Sequence, residues 1–294
     1  MGGGLVPLEL AVAVAAAGAL PTLSSARVSP AELTESLDRF KNVTDNPVAV
    51  NFLLPFLEDR EAVSAAASRA RVVEFFDGAP DPALVDQVHA AGALAGWQVG
   101  SRDEAVAAAD AGCDVITAQG VEAGGHVRGA MALLPLLDQV LRSVGVPVLA
   151  AGGVGTGRDV RALLDAGAAG VRVGTRFVAA AESAAHPTYV QRLVEAEPDD
   201  TVVTEAFGQN WPNAPHRVLR RCVAAATEHS GDIVGDVRRE GGEWPVPRWN
   251  SVPPTRATRG HIDAMALYAG RSVGAVRAVQ PAKDILDELV SELG

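Results

Sequence analysis

The chain has 294 residues, 48% of them hydrophobic, and a formal net charge of −11. That length suits one barrel of about 250 residues with an appendage, or two modest domains. The negative balance argues against a nucleic-acid binder or an anionic-membrane binder, and the two cysteines, Cys113 and Cys222, have no metal-ligand spacing, which suits a reducing cytoplasm and weighs against a disulfide framework or a metal site.

The run Leu8 to Leu20 is apolar but carries Glu9 and no basic flank. It falls short of the roughly 20 residues a membrane span needs and reads as an Ala-rich buried helix over Leu8 to Ala17. Ala19 to Leu23 reads as a strand, with a helix that Pro30 opens near its first turn. Val48 to Leu53 then precedes a helix around Asp59 to Ala70, and Val72 to Phe76 precedes the turn Asp77-Gly78 and a helix over Pro82 to Ala91. Trp97 to Val99 leads into Ser101-Arg-Asp-Glu104, a capping box ahead of Ala105 to Ala111.

Asp114 to Ala118 is the next strand, with a helix over Met131 to Val144. Val146 to Ala150 runs into Gly152-Gly153-Val-Gly155-Thr-Gly157 and a helix from Arg158 to Ala166, and Gly170 to Val173 runs into Gly174-Thr175-Arg176. This alternation predicts a parallel α/β sheet, doubly wound or closed as a TIM (β/α)8 barrel. The strands named number seven, and a closed barrel needs eight. A strand should precede the first helix, where only Met1-Gly-Gly-Gly4 stands, so the first strand reads as truncated.

After Glu197 the pattern changes. Residues 198–262 hold Trp211, Trp244, Trp249 and many prolines, and read as an inserted lid or a packed excursion, with Arg217 to Glu228 as one amphipathic helix. Ala264 to Tyr268 and Ala282 to Leu293 read as closing helices. The expected organisation is a barrel over 1–197, the insert over 198–262, and 263–294 returning to the barrel.

The stretch that gathers chemistry is Asp114-Val-Ile-Thr-Ala-Gln-Gly-Val-Glu-Ala-Gly-Gly-His126. A short apolar strand breaks into a loop holding Gln119, Gly120, Glu122, Gly124, Gly125 and His126. Its glycines let backbone N–H groups come close to a ligand, and His126 supplies a base near neutral pH. The same spacing fits a tight βα turn with a surface histidine. Glu122 has the acid for a second proton role, or caps the loop through N–H groups.

The glycine loops at 152–157 and 174–175 follow what would be barrel strands seven and eight, where such barrels hold a phosphate on N–H groups and a helix N-terminus; the helix near Arg158 points its positive end that way. Residues 152–157 do not fit the dinucleotide fingerprint. Arg176 offers a cation to an anionic substrate or a structural salt bridge. His89, His186, His229 and His261 read as structural or solvated, His216 as a candidate pocket wall, and Tyr268 as a core or site-side residue.

Ala118-Gln-Gly-Val-Glu-Ala-Gly-Gly-His126, Val148-Leu-Ala-Ala-Gly-Gly153, Val173-Gly-Thr-Arg-Phe177 with Ala185-His-Pro187, Val50-Asn-Phe52 and Met265-Ala-Leu-Tyr-Ala-Gly270 together resemble the nitronate monooxygenase (2-nitropropane dioxygenase-like) family over nearly the whole chain. The resemblance implies a TIM barrel with a smaller inserted domain and FMN held without a covalent link. It implies flavin contacts from Asn51, Gln119, Gly124 and Gly125, and phosphate contacts from Gly152, Gly153, Val173, Gly174 and Thr175. It sets Met1-Gly-Gly-Gly4 at the end of the family's first strand, which leaves Gly2 and Gly3 doubtful as flavin contacts.

It further implies that His126 acts on substrate as base or hydrogen-bonding partner, in the oxidation of alkyl nitronates by dioxygen to carbonyl compounds and nitrite. The alternative is an NAD(P)H-dependent reductase of the enoyl-acyl-carrier-protein or quinone type; a barrel without turnover is a third. The oligomeric state is left open.

Overall fold

A computed structural model describes residues 4–26, 28–239 and 241–293. Its frame is a seven-stranded, all-parallel sheet in the order β1 (Thr22–Ser24), β2 (Ala49–Leu53), β3 (Val72–Phe76), β4 (Leu94–Val99), β5 (Val115–Gln119), β7 (Val148–Ala151) and β8 (Gly170–Arg172). The short strand β6 (Gly125–His126) lies outside this sheet. Parallel neighbours need a crossover, and helices supply it: α2 (Pro30–Val43), α3 (Glu61–Ala67), α4 (Pro82–Ala90), α5 (Arg102–Asp110), α6 (Leu133–Leu141) and α7 (Gly157–Asp165), with α1 (Leu8–Ala16) ahead of β1. This is the expected α/β TIM-barrel arrangement, curled so that its edge strands β1 and β8 come within side-chain reach: Arg172 Nη2 lies 3.4 Å from Thr22 Oγ1.

Local sequence explains where the crossovers start. Ser29 and Glu32 form a reciprocal capping box around Pro30, and Thr156 and Asp159 do the same for α7. Asp81 caps α4 and Ser101 caps α5. Such caps stabilise by about 1 kcal/mol each. The barrel core is apolar: Phe52, Phe75 and Trp97 are fully buried, with the Phe75 and Trp97 ring centroids 4.9 Å apart.

A polar cluster interrupts it. Glu74 on β3 is 4% exposed and accepts from Asn51 Nδ2 (2.8 Å) and Thr117 Oγ1 (2.7 Å); Arg172 pairs with the same carboxylate and donates to Gln98 Oε1 (3.0 Å).

After α8 (Thr175–Val178) and α9 (Pro187–Glu195), the chain leaves the barrel. Strands β9 (Thr201–Thr204) and β10 (His216–Leu219) join β6 in an antiparallel sheet, ordered β6-β10-β9. Helix α10 (Arg220–Glu228) follows, then β11 (Ile233–Arg239), β12 (Gly242–Pro247) and β13 (Thr258–Gly260) in a second antiparallel sheet, before α11 (Ala282–Val290).

The elements depart from expectation at several points. The helix expected over Arg217 to Glu228 starts at Arg220, because His216–Leu219 pairs as β10. The helix expected over Ala264 to Tyr268 is a short 3-10 turn, Ile262–Ala264, followed by extended chain that bridges Val218 to Tyr268. Ala264, Met265, Ala266, Leu267 and Ala269 are all buried, so this segment has no polar face to give a surface helix. Met1–Gly3, where the first strand was expected to end, lie outside the described residues; Gly4 sits in a turn, and among the described residues no strand precedes α1.

Candidate active site

The C-terminal ends of β5, β7 and β8 lie side by side, and the three glycine loops leave from that edge. At the end of β5, Gln119 is 6% exposed. Its Nε2 donates to His126 O (2.9 Å) and its Oε1 accepts from Arg128 N (2.9 Å), so one amide side chain closes the loop that carries the histidine. Inside that loop Glu122 accepts from Leu133 N (3.0 Å) at the start of α6. The acidic residue thus caps the helix that follows, where the sequence offered a proton role or a cap within its own loop.

His126 sits on β6, paired with β10 in the register His126 to His216 and Gly125 to Arg217. Arg217, 8% exposed, reaches across with Nε and Nη2 to Val121 O (2.9 and 2.8 Å) and holds the insert against the loop. The His126 imidazole stacks on the Trp211 indole, centroids 3.8 Å apart and planes 24° apart, with His216 at 5.1 Å and Tyr268 at 5.6 Å. His216 is fully buried. Its Nε2 accepts from Phe207 N (3.3 Å), which makes Nδ1 the donor to Ala214 O (2.9 Å), and burial holds its pKa below the ordinary 6.5. Tyr268 Oη donates to Ser251 O (2.7 Å).

Gly152 and Gly153, after β7, have φ of 117° and 74°, a left-handed backbone that favours glycine, and a side chain at Gly153 would come within 3.2 Å of Glu122 Cβ. Gly125, also left-handed, has nothing within 4 Å of where a Cβ would be, so it faces open space. Gly124 differs: a Cβ there would lie 2.4 Å from Gly270 N, so its lack of a side chain serves packing against the 265–270 segment. After β8, Val173 is half-buried, Gly174 precedes α8, and Thr175 Oγ1 accepts from Gly270 N (2.9 Å).

Asn51, the remaining expected contact, turns its amide N–H to Glu74. The structure thus brings the three glycine loops and His126 to one sheet edge, where backbone N–H groups and small residues suit a phosphate-bearing cofactor.

Ahead of helix α7, two N–H groups are turned to a side chain. Asp159 accepts from Gly155 N (3.0 Å) and Thr156 N (2.9 Å), so those donors are already engaged. Arg176 takes the structural role: it is 4% exposed, donates to Gly155 O (2.6 Å) and pairs with Glu288, whose pKa the contact lowers. Trp211 and Asp77 were not singled out as site residues in the sequence. Trp211 Nε1 donates to Asp77 Oδ2 at 3.0 Å across 134 positions, and no local pattern announces such a contact. Among the described residues no group of three or more His, Cys, Asp and Glu could hold a metal ion, and no helix is long and apolar enough to cross a membrane.

The family model for nitronate monooxygenase matches residues 58–292. The (3aS,4S,5R,7aS)-5-hydroxy-7a-methyl-1-oxo-octahydro-1H-indene-4-carboxyl-CoA dehydrogenase of Rhodococcus jostii is 34% identical over 227 residues, 77% of this chain and 63% of that protein. The chain thus spans less than two thirds of that relative's length. Two solved structures are similar throughout. FabK from Thermotoga maritima is 28% identical with a TM-score of 0.80, covering 99% of this chain and 91% of its own. Nitroalkane oxidase from Streptomyces ansochromogenes is 26% identical with a TM-score of 0.75, covering 100% and 93%.

Proposed function

The chain belongs to the nitronate monooxygenase family and is a flavin-dependent oxidoreductase, and from that premise we propose that it binds FMN and oxidises alkyl nitronates with dioxygen to carbonyl compounds and nitrite. The observation that carries this reading is the position of His126, on a strand at the mouth of the glycine loops and walled by aromatic rings. The chemistry a bound FMN supplies is electron transfer from substrate to dioxygen.

The chain's own residues bind, orient and handle the proton. Gly152, Gly153, Val173, Gly174 and Thr175 would hold the phosphate through backbone N–H groups. Asn51, Gln119, Gly124 and Gly125 are the residues that would contact the flavin. His126 takes the proton from the carbon next to a nitro group, or hydrogen-bonds the nitronate oxygens, while Gln119 fixes the loop on which it sits. We read the chain up to residue 197 as the barrel, 198–262 as a lid over it, and the remainder as returning to the barrel. The cytoplasm suits the buried, free Cys113 and Cys222, whose thiols burial pushes up to about 12.

A second reading is favoured by one observation, the identity to an enzyme named as a carboxyl-CoA dehydrogenase. His126 would then work on the proton next to a thioester carbonyl, and NAD(P)H would serve a reductase of the acyl-thioester or quinone type. Nitrite release and oxygen uptake with ethyl nitronate test the first reading. Turnover of an acyl-CoA or NADH oxidation, without nitrite from nitronates, would replace it with the second.

A further inference from the structure

We propose that Trp211 is the specificity wall of this site, restricting it to compact substrates, and that Asp77 is the residue that positions it. The inference rests on the reading of His126 as the group that meets substrate.

Trp211 lies in the loop between β9 and β10, yet it packs on the barrel. It is 7% exposed, shares a cluster with Phe76, Ala214, Leu53 and Phe56, and meets the Phe56 ring edge-on at 5.0 Å and 85°. Its indole covers one face of the His126 imidazole. His216 and Tyr268 flank the same ring, so aromatic groups bound the approach to the imidazole. A planar, short-chain nitronate fits that approach, and a long or branched chain meets the indole. When the imidazole takes up a proton, the indole face also stabilises the cation.

Asp77 holds this arrangement at two points. Its Oδ2 accepts from Trp211 Nε1 (3.0 Å) and its Oδ1 from Arg128 Nη1 (3.0 Å), two residues beyond His126; Arg128 Nε also donates to Glu104 Oε1 (2.8 Å). One carboxylate at the end of β3 therefore ties the wall and the histidine loop together. Asp77 does so with φ of 62°, a left-handed turn conformation that Asp adopts more readily than most residues.

The test uses the FMN-loaded protein and two readouts, one independent of turnover. The first is the rate at which diethyl pyrocarbonate labels His126, followed by peptide mass mapping. The second is the ratio of kcat/KM for the nitronate of 1-nitrohexane to that of nitroethane. Trp211→Ala should label His126 faster and raise the ratio by about tenfold or more, the size of effect a reshaped apolar pocket gives.

Asp77→Asn keeps a side chain that tolerates the left-handed backbone but has one acceptor oxygen for two donors, so it should shift both readouts the same way, by less. Trp211→Phe keeps a ring against His126 but loses the Nε1 donor to Asp77, so it should fall between wild type and Trp211→Ala in both readouts. Wild-type values of both readouts in folded Trp211→Ala, or in Asp77→Asn should Trp211→Ala fail to fold, overturn the proposal. If the wild type releases no nitrite from any nitronate, the functional reading fails, and the labelling rates alone decide the wall.

Discussion

Asn51 donates its side-chain N–H to Glu74, Nδ2 to Oε2 at 2.8 Å. A carboxylate only accepts, so this contact sets which end of the amide faces the barrel interior and leaves the Asn51 oxygen on the other branch. The same carboxylate also serves Thr117 and Arg172. Glu74 is thus the centre of the barrel's polar cluster and sits directly behind an expected flavin contact.

Replacing Glu74 by Ala strands the Arg172 guanidinium, whose side chain is only 26% exposed, and removes the acceptor for three donors. Breaking such a pair from one side costs about 3 kcal/mol when the cation keeps some access to water. Urea denaturation of Glu74→Ala should show that loss, with a smaller one for Glu74→Gln, and titration with FMN should show weaker binding. An unchanged denaturation midpoint would contradict the assignment.

Gly153→Val should purify with little or no flavin. The substitution forces a β-branched residue into φ of 74° and sets its Cβ 3.2 Å from that of Glu122, beside the proposed phosphate loop. The ratio of visible to ultraviolet absorbance after loading with FMN reads the outcome, and a fully loaded yellow protein would remove the loop from the phosphate site.

His126→Ala should retain FMN and lose turnover by about 100-fold or more, the range for removing a positioned proton-transfer group. Wild-type turnover would take the histidine out of the mechanism.

Stability should fall on acidification below about pH 6.5. Burial depresses the His216 pKa from 6.5, and does the same at His186, so the folded chain resists a proton that the unfolded chain accepts. Stability from these groups is therefore complete above 6.5 and is lost as the pH drops below it, with a slope of at most about 1.4 kcal/mol per pH unit for each site. Urea midpoints measured between about pH 5 and 7.5 should show the loss, and His216→Asn should flatten it. A profile that stays steep in His216→Asn would assign the effect elsewhere.

The parallel frame was legible because its code is local. The apolar run Asp114 to Ala118 lies within one residue of β5, and Ser101 caps α5 as its spacing suggests. The glycine loops were legible for the same reason, since a left-handed turn needs glycine wherever it falls.

What failed was non-local. Met265-Ala-Leu-Tyr-Ala269 favours helix by propensity, but burial and the contact of Tyr268 with Val218 hold it extended. The joining of Trp211, Asp77 and His126 links three separate parts of the chain, so neither spacing nor periodicity carries it.

The central claim is best tested by the visible spectrum of the FMN-loaded protein, held without oxygen, as ethyl nitronate is added. The account predicts prompt loss of the oxidised flavin absorbance with nitronate and no comparable change with NADH. Bleaching by NADH, with no response to nitronate, would contradict it.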